Sequence, residues 1–285
     1  MKIKAPKNIG IFKHYTKKPN TIAKGNLYIA KININTQNVD KIRKIRVYLP
    51  SCYNFNDNSE TYDVLYMLDG KNCFDDYTSF VGEWHADECL EKDIKDKNRS
   101  YIIVAIDSPK TDIDRMEEML PYKEDTILSK YAKNKYVGYA DLLCDFIVNK
   151  LDDIIKNNFH VNNNKRAIMG SSMGGLLSFY AALRNNEFYS CCLSFSNALF
   201  LYNSAHVKKK FNEFLSSNPS LPNVFLYCGA GDEFEALFEP LNYYVYRKIK
   251  NKTKVNYILD SKQIHNEKAW SKYYNHAIDF WFETK

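Results

Sequence analysis

Residues 167–175 read AIMGSSMGG, and this stretch decides the fold of the chain. Its centre has the pattern Gly-x-Ser-x-Gly, in which Ser172 would occupy a sharp turn between a strand and a helix. The apolar residues 167–169 are typical of a buried strand, and residues 176–183 predict a helix. Gly170 and Gly174 lack Cβ atoms, so strand and helix can approach closely there. The flanks therefore favour a nucleophile elbow over a chance Gly/Ser turn.

Outward from this turn, apolar strands alternate with helical segments. Buried strands are predicted at 64–68, 101–106, 189–195, 224–228 and 255–259, and helices at 84–91, 143–154, 235–250 and 266–282. Such alternation predicts a mostly parallel α/β sheet with helices on both faces. Residues 26–34 and 45–49 alternate in hydrophobicity across the short link 35–41, which predicts an antiparallel pair at the start of the sheet.

Composition places the chain among ordinary globular proteins. It has 285 residues, of which 45% are hydrophobic, and we expect a single domain over residues 1–285. Residues 1–24 are basic and predicted to be irregular. Residues 107–135 are polar, contain Pro109 and Pro121 and show little periodicity, which is typical of a lid or substrate loop.

Charge and cysteine content argue against several classes of protein. The net charge of +6 is spread along the chain, and its densest clusters, 208–210 and 247–252, fit solvated helix faces better than a nucleic-acid surface. Seven cysteines without a CxxC motif predict reduced thiols. With no signal peptide and no apolar run of about 20 residues, we expect a cytoplasmic protein without a membrane span.

No cofactor or metal site is predicted. The short polar clusters Asp75-Asp76 and His85-Ala86-Asp87 lack the ligand spacing of motifs such as H-E-x-x-H. The chemistry expected of this chain needs neither.

A serine nucleophile needs a base to remove its proton and an acid to orient that base. In the order typical of this elbow, the acid and then the histidine follow the serine along the chain. Asp232 is the preferred acid because it follows the strand at 224–228, and Glu233 and Glu235 are its rivals. His265 follows the last predicted strand and is the expected base. The other five histidines occupy less suitable places: His14, His85, His160, His206 and His276.

An oxyanion intermediate needs two hydrogen-bond donors. One is expected from the backbone amide of Met173, directly after the nucleophile. The second is expected from the backbone amide of Lys71 in the segment 69–72, DGKN, where Gly70 allows the chain to turn.

These motifs together resemble the putative esterase (esterase D-like) family of α/β-hydrolases. The resemblance covers roughly residues 40–282. It rests on the segments YMLDGKNCF (66–74), GEWHADE (82–88), RMEE (115–118) before Pro121, GSSMGG (170–175), and HNE (265–267) with Trp270. The family includes S-formylglutathione hydrolases, feruloyl and acetylxylan esterases, enterochelin esterases and mycolyltransferases.

The resemblance implies an α/β-hydrolase fold with Ser172 as nucleophile, Asp232 as acid and His265 as base. It places the oxyanion amides at Met173 and Lys71. The acid segment departs most from the family pattern, because Asp232 adjoins a second acid, Glu233.

The expected function is a serine carboxylic-ester hydrolase acting on a small-molecule or carbohydrate ester. Trp84 and Arg115 are candidates for binding the substrate, and packing in the core is the equal alternative for Trp84. An enterochelin-type trilactone esterase is a close alternative, in which Arg115 or Lys71 would hold a catecholate anion. An acyltransferase to a sugar or alcohol would differ only in the group that accepts the acyl chain. A catalytically silent binding module is the third alternative, against which an intact triad argues.

Overall fold

One mixed sheet runs through the part of the chain that a computed structural model describes, residues 5–34, 41–57, 59–122, 138–218 and 220–283. The strands of this sheet are, in chain order, β1 (Asn8–Ile9), β2 (Phe12–His14), β3 (Asn26–Asn33), β4 (Ile42–Leu49), β5 (Tyr62–Leu68), β6 (Tyr101–Ile106), β7 (Val161–Ser171), β8 (Cys191–Phe195), β9 (Asn223–Gly229) and β10 (Val255–Asp260).

The spatial order of the strands is β1-β2-β3-β4-β6-β5-β7-β8-β9-β10. The pairs β1–β2, β2–β3, β3–β4 and β4–β6 are antiparallel. The pairs β6–β5, β5–β7, β7–β8, β8–β9 and β9–β10 are parallel. The predicted mostly parallel sheet with antiparallel N-terminal strands is therefore confirmed. Because the carboxyl ends of parallel strands lie at one edge, the loops after β5, β7, β8, β9 and β10 meet there.

Helices cover both faces of the sheet. They are α1 (Ala86–Lys97), α2 (Asp112–Met119), α3 (Ala140–Phe146), α4 (Asp152–Asn158), α5 (Met173–Arg184), α6 (Ser204–Ser217), α7 (Glu239–Ile249), α8 (Glu267–Ser271) and α9 (Tyr274–Glu283). Residues from α2 to α7 pack into a core on one face, and residues from α1, α8 and α9 pack into a second core on the other. Both cores are closed by apolar side chains of the strands between them.

Most predicted elements lie within a few residues of the observed ones, but three differ. The helix predicted over 143–154 is divided, since a wider turn at Ile147–Leu151 joins α3 to α4. The helix predicted over 266–282 is two helices, α8 and α9. For helix α6, only a solvated helix face at 208–210 was predicted and no bounds were given, because its lysine-rich sequence obscures its apolar stripe. Asn203 caps it by accepting a hydrogen bond from the Ala205 N–H at 2.9 Å.

Two segments that were predicted without regular structure contain short elements where the structure describes them. The N-terminal segment expected to be irregular contains β1 and β2, which add two short strands to the sheet edge. The polar segment 107–135 contains α2, whose N-cap Thr111 accepts a hydrogen bond from the Asp114 N–H at 3.1 Å. Residues 123–135 of that segment and 35–40 of the link lie outside the described residues.

Within the described ranges, no helix combines the length and the apolarity that crossing a bilayer requires.

Candidate active site

Ser172 stands in the sharp turn between β7 and α5. Its backbone has φ 58° and ψ −121°, a conformation that L-residues rarely adopt. The Ser172 N–H donates to the Phe195 carbonyl at 2.9 Å, and the Ala198 N–H donates to the Ser172 carbonyl at 3.2 Å. A Cβ on Gly170 would lie 2.4 Å from the Gly174 carbonyl oxygen, so only glycine allows strand and helix to meet here. The backbone is thus that of a nucleophile elbow.

His265 lies in the loop after β10 and is held by a buried carboxylate. Its Nδ1 is 2.5 Å from Oε2 of Glu235, and the Glu235 side chain has no solvent exposure. The second oxygen, Oε1, accepts hydrogen bonds from the Gly229 N–H at 2.8 Å and from the Ser196 hydroxyl. An ionised Glu235 fixes the proton of the imidazole on Nδ1 and leaves Nε2 free to accept another.

The sequence favours Asp232 as this acid, but the carboxylate that the structure brings to His265 is that of its rival Glu235. Asp232 is exposed, and its Oδ1 accepts a hydrogen bond from the Glu235 N–H at 2.7 Å. It therefore caps the short turn Glu235–Leu237. Glu233 is exposed as well. This turn directs the Glu235 side chain into the protein, next to Gly229 at the end of β9. The spacing of the three acids along the sequence does not indicate which of them the turn directs inward.

Aromatic rings fix the orientation of the imidazole. The ring of His265 stacks on Phe238 with centroids 4.6 Å apart, and it meets the edges of Phe234 and Trp270 at 5.0 and 4.9 Å. The indole N–H of Trp270 donates to the Ser196 hydroxyl at 2.9 Å. Ser196, which the sequence did not single out, therefore joins the loop after β8 to the Glu235 carboxylate.

Ser172 and His265 share one edge of the sheet without a direct bond between their side chains. Within the described residues, no hydrogen bond joins the Ser172 hydroxyl to the imidazole. Catalytic hydrogen bonds are often long in the free enzyme and shorten once substrate is bound.

The segment after β5 forms a tight turn beside the start of α5. Asp69 has left-handed backbone angles, φ 55° and ψ 49°, and the turn Gly70–Asn72 closes with the Asn72 N–H donating to the Asp69 carbonyl at 2.9 Å. A Cβ on Gly174 would lie 3.1 Å from Asp69 Oδ2, so the carboxylate touches the first turn of α5. The side-chain amide of Asn72 donates to Glu267 Oε1 at 3.0 Å, which ties this turn to the loop of His265.

Arg115 holds this turn in place. Its Nε and Nη2 each donate to an oxygen of Asp69 at 2.7 Å, and the Ser108 hydroxyl donates to the same carboxylate. Burial pushes the pKa of Asp69 upward, but the charge and hydrogen bonds of Arg115 outweigh burial and lower it below its ordinary value. The guanidinium predicted to bind substrate is thus occupied by Asp69.

Trp84 was predicted to bind substrate but lies in the protein core. Its side chain is 2% exposed and packs against Phe195 and Trp270, with ring centroids 5.0 and 5.9 Å away. Its large apolar surface explains why it is buried beneath the site.

Three large apolar side chains that were not predicted from the sequence are exposed to solvent near the candidate site. Phe80 is 79% exposed, with the Lys71 ammonium 5.4 Å from its ring, and its N–H donates to the Asn72 side chain at 3.1 Å. Phe234 is 51% exposed beside His265, and Ile264 is 46% exposed. Phe80 and Phe234 lie nine and two positions from Lys71 and Asp232, and Ile264 adjoins His265, so a large apolar residue close in sequence to a candidate site residue is the signal that could have identified them.

A separate apolar cavity of about 310 Å³ lies between α5 and α6. Leu176, Phe179, Tyr202 and Phe211 are among its lining residues, and neither Ser172 nor His265 is.

Comparison with known proteins gives the family. The model of the family described as "Putative esterase" matches residues 36–281. Among solved structures, siderophore hydrolase EstB from Aspergillus nidulans is similar with a TM-score of 0.69 and 16% identity, over 92% of this chain and 97% of that one. The IroE-like serine hydrolase from Shewanella oneidensis has a TM-score of 0.69 and 18% identity, over 88% and 78%.

The enterobactin esterase FES from Shigella flexneri, solved in the presence of enterobactin, is similar with a TM-score of 0.63 and 17% identity, over 90% of this chain and 59% of that one. The family match extends from the link before β4 to α9 and so includes every element of the candidate site. The chain therefore belongs to the putative esterase family, and it is an esterase with the α/β-hydrolase fold.

Proposed function

We propose that the chain is a serine carboxylic-ester hydrolase that works through an acyl-enzyme on Ser172. His265 is the general base, and Glu235 replaces Asp232 as the acid that orients it. The observation that carries the proposal is the 2.5 Å contact of His265 Nδ1 with the buried Glu235 carboxylate, at the sheet edge where the Ser172 elbow stands.

The reaction follows from these positions. Nε2 of His265 takes the proton of the Ser172 hydroxyl as Oγ attacks the ester carbonyl. The backbone amides of Met173 and Lys71 hold the resulting oxyanion, and losing one such donor costs about 3 kcal/mol of transition-state stabilisation. The imidazolium, stabilised by Glu235, then protonates the leaving alcohol. Water, deprotonated by the same imidazole, releases the acyl group.

The proposed substrate is a small-molecule ester with an apolar or aromatic part. Phe80 and Phe234 offer exposed rings beside Lys71 and His265. Siderophore esters are a second, narrower candidate, because two similar structures bear the names siderophore hydrolase and enterobactin esterase. The Lys71 ammonium beside Phe80 would suit an aromatic anion such as a catecholate, as the trilactone alternative requires.

The setting that we propose is cytoplasmic. All seven cysteines are free thiols, and five of them are buried: Cys73, Cys144, Cys191, Cys192 and Cys228. Packed, reduced thiols fit a reducing compartment.

Covalent labelling tests the nucleophile. A fluorophosphonate probe should modify the wild-type chain at Ser172, as read by mass spectrometry of the peptide. Ser172→Ala should lose both labelling and ester hydrolysis, because no other group can form the acyl-enzyme. Ser204→Ala, a change at an exposed serine that begins α6, should label and react like the wild type.

Equal labelling of the Ser172→Ala variant, or no labelling of folded wild-type protein, contradicts the proposal.

Short p-nitrophenyl esters, feruloyl esters and siderophore lactones assayed side by side would rank the substrate classes. Adding acceptor alcohols and measuring transesterified product would identify an acyltransferase.

A further inference from the structure

A group of potential metal ligands stands where the chain enters α1, apart from Ser172 and His265. Glu83, His85 and Glu88 each offer one ligand atom, and the three atoms lie within 4.8 Å of one another. Nδ1 of His85 is 3.3 Å from Glu83 Oε1 and 3.7 Å from Glu88 Oε1. His85 has left-handed backbone angles, φ 52° and ψ 37°, directly before the helix begins. The imidazole is thus placed between two carboxylates.

Buried oxygens without hydrogen-bond partners distinguish this group from an ordinary acidic surface. The side chain of Glu83 is 1% exposed, and its Oε1 accepts a hydrogen bond from the Thr21 hydroxyl at 3.0 Å, but its Oε2 has no hydrogen-bond partner. Asp87 Oδ1 and Glu88 Oε2 are also buried, and the side chains of Asp87 and Glu88 lie within hydrogen-bond reach of each other. Leaving a buried charged acceptor unsatisfied costs a few kcal/mol, so such atoms usually have an ion or a proton beside them.

We propose that Glu83, His85 and Glu88 bind one divalent transition-metal ion of the zinc type. Tetrahedral Zn²⁺ with bonds of about 2.0–2.2 Å places neighbouring ligand atoms about 3.3–3.6 Å apart, close to the two separations measured from His85 Nδ1. One imidazole and two carboxylates suit zinc better than Ca²⁺ or Mg²⁺, which prefer six or more oxygen ligands.

Two features around the proposed site matter for a bound ion: its access from solvent and its proximity to Trp84. The side chains of His85 and Glu88 are 50% and 39% exposed, so an ion reaches the site from solvent and keeps a water in its fourth position. Trp84 lies between Glu83 and His85 in the sequence, and its ring packs against Phe195 and Trp270 beneath the candidate active site. A bound ion would therefore anchor the start of α1 and the position of Trp84 without taking part in ester hydrolysis.

A shared proton is the competing explanation for the same atoms. Asp87 and Glu88 are adjacent carboxyl groups within hydrogen-bond reach of each other, and one proton between them would satisfy their buried oxygens without a metal. If protons alone satisfy these oxygens, added zinc changes nothing. If the ion binds, it competes with protons for the ligand atoms, and its affinity falls as the pH is lowered.

The test is a zinc titration of the full chain after removal of metal with EDTA. Calorimetry should show one Zn²⁺ per chain, and melting should shift upward with zinc but not with Ca²⁺. His85→Asn, which tolerates the left-handed backbone, and Glu88→Gln should each weaken zinc binding about tenfold or more. His276→Asn, at an exposed histidine of α9, should bind like the wild type.

Binding of less than one zinc by the wild type overturns the proposal, as does unchanged binding in both ligand variants. Circular dichroism shows whether each variant is folded, and the more exposed Glu88→Gln keeps the test open should His85→Asn misfold. Labelling of Ser172 is measured on the same samples, so loss of the zinc site is distinguished from loss of the proposed esterase chemistry.

Discussion

At the scale of single residues, local backbone geometry selects the acid of the candidate triad. Asp232, Glu233 and Glu235 lie within four residues of one another after β9. Only Glu235 is buried, since the turn that Asp232 caps carries it toward Gly229, Ser196 and His265. Asp232 therefore supports the acid and does not replace it.

Glu235→Gln should lower kcat about 10²- to 10⁴-fold with little change in KM, because a neutral amide neither fixes the imidazole tautomer nor stabilises the imidazolium. Asp232→Asn should lower kcat less than about tenfold and change stability by no more than a few tenths of a kcal/mol, because an asparagine side-chain oxygen accepts the Glu235 N–H as well as an aspartate does. Steady-state hydrolysis of a p-nitrophenyl ester measures the first effect and urea unfolding the second. Glu233→Gln, in the same loop, serves as the control. A larger loss of kcat in Asp232→Asn than in Glu235→Gln would show that the acid has been assigned incorrectly.

At the scale of elements, two acid–base pairs attach α2 to the sheet. Arg115 binds Asp69 after β5, and Glu118 contacts Arg43 of β4 with both side chains almost fully buried. Burial raises the pKa of Glu118 to about 7, although Arg43 opposes the rise. Helix α2 therefore carries a carboxyl group that titrates differently in the folded and unfolded chain.

The sign of this difference predicts how stability changes with pH. Between the ordinary glutamate pKa of about 4.3 and the folded value near 7, the folded state holds a proton at Glu118 that the unfolded state has released. The free energy of unfolding therefore falls as pH rises through this window, by at most about 1.4 kcal/mol per unit of pKa difference. Glu118→Gln should remove this part of the slope.

Urea unfolding of wild type and Glu118→Gln at several pH values from 4 to 8 measures the slope. Above about pH 7, where Glu118 is ionised, the variant also removes the charge partner of Arg43, so the slope and not the absolute stability is diagnostic. Asp112→Asn, at an exposed position of the same helix, should keep the wild-type slope. An unchanged slope in Glu118→Gln would contradict the proposed titration.

At the scale of the whole molecule, two apolar cores on opposite faces of one sheet hold the fold together. Trp84 belongs to the core formed with α1, α8 and α9 and lies beneath Trp270, which contacts both His265 and Ser196. Its contribution is to packing and to the position of the site, and its ring is closed off from solvent.

Trp84→Ala should therefore lower the free energy of unfolding by about 3–5 kcal/mol and leave KM nearly unchanged in the fraction that remains folded. Phe80→Ala, at a 79% exposed ring beside Lys71, should do the reverse and raise KM with little effect on stability. Urea unfolding and steady-state kinetics on both variants make the comparison. A raised KM in a stably folded Trp84→Ala would restore the prediction that this ring binds substrate.

Much of the architecture could be read from local patterns. Apolar runs identify β5 to β9, since strands buried on both faces carry few polar residues. The edge strand β10, none of whose residues is fully buried, was identified by a shorter run of the same kind. The Gly-Ser-Ser-Met-Gly segment predicts the corner between β7 and α5, because only glycine permits the close approach at position 170. Chain order alone placed His265 in the loop after β10. These features depend on a few neighbouring residues and on the period of the chain.

Features that depend on contacts between segments far apart in the sequence could not be predicted from local patterns. Whether Asp232 or Glu235 meets His265 depends on a turn after β9 and on a loop 30 residues further along the chain. Likewise, the burial of Trp84 and the pairing of Arg115 with Asp69 depend on helices packing against the sheet. The sequence by itself determined the succession of strands and helices along the chain and the elbow between β7 and α5, because these are local. The tertiary structure alone decided which charged and aromatic side chains are buried together, because that choice is made by the free energy of packing the whole chain.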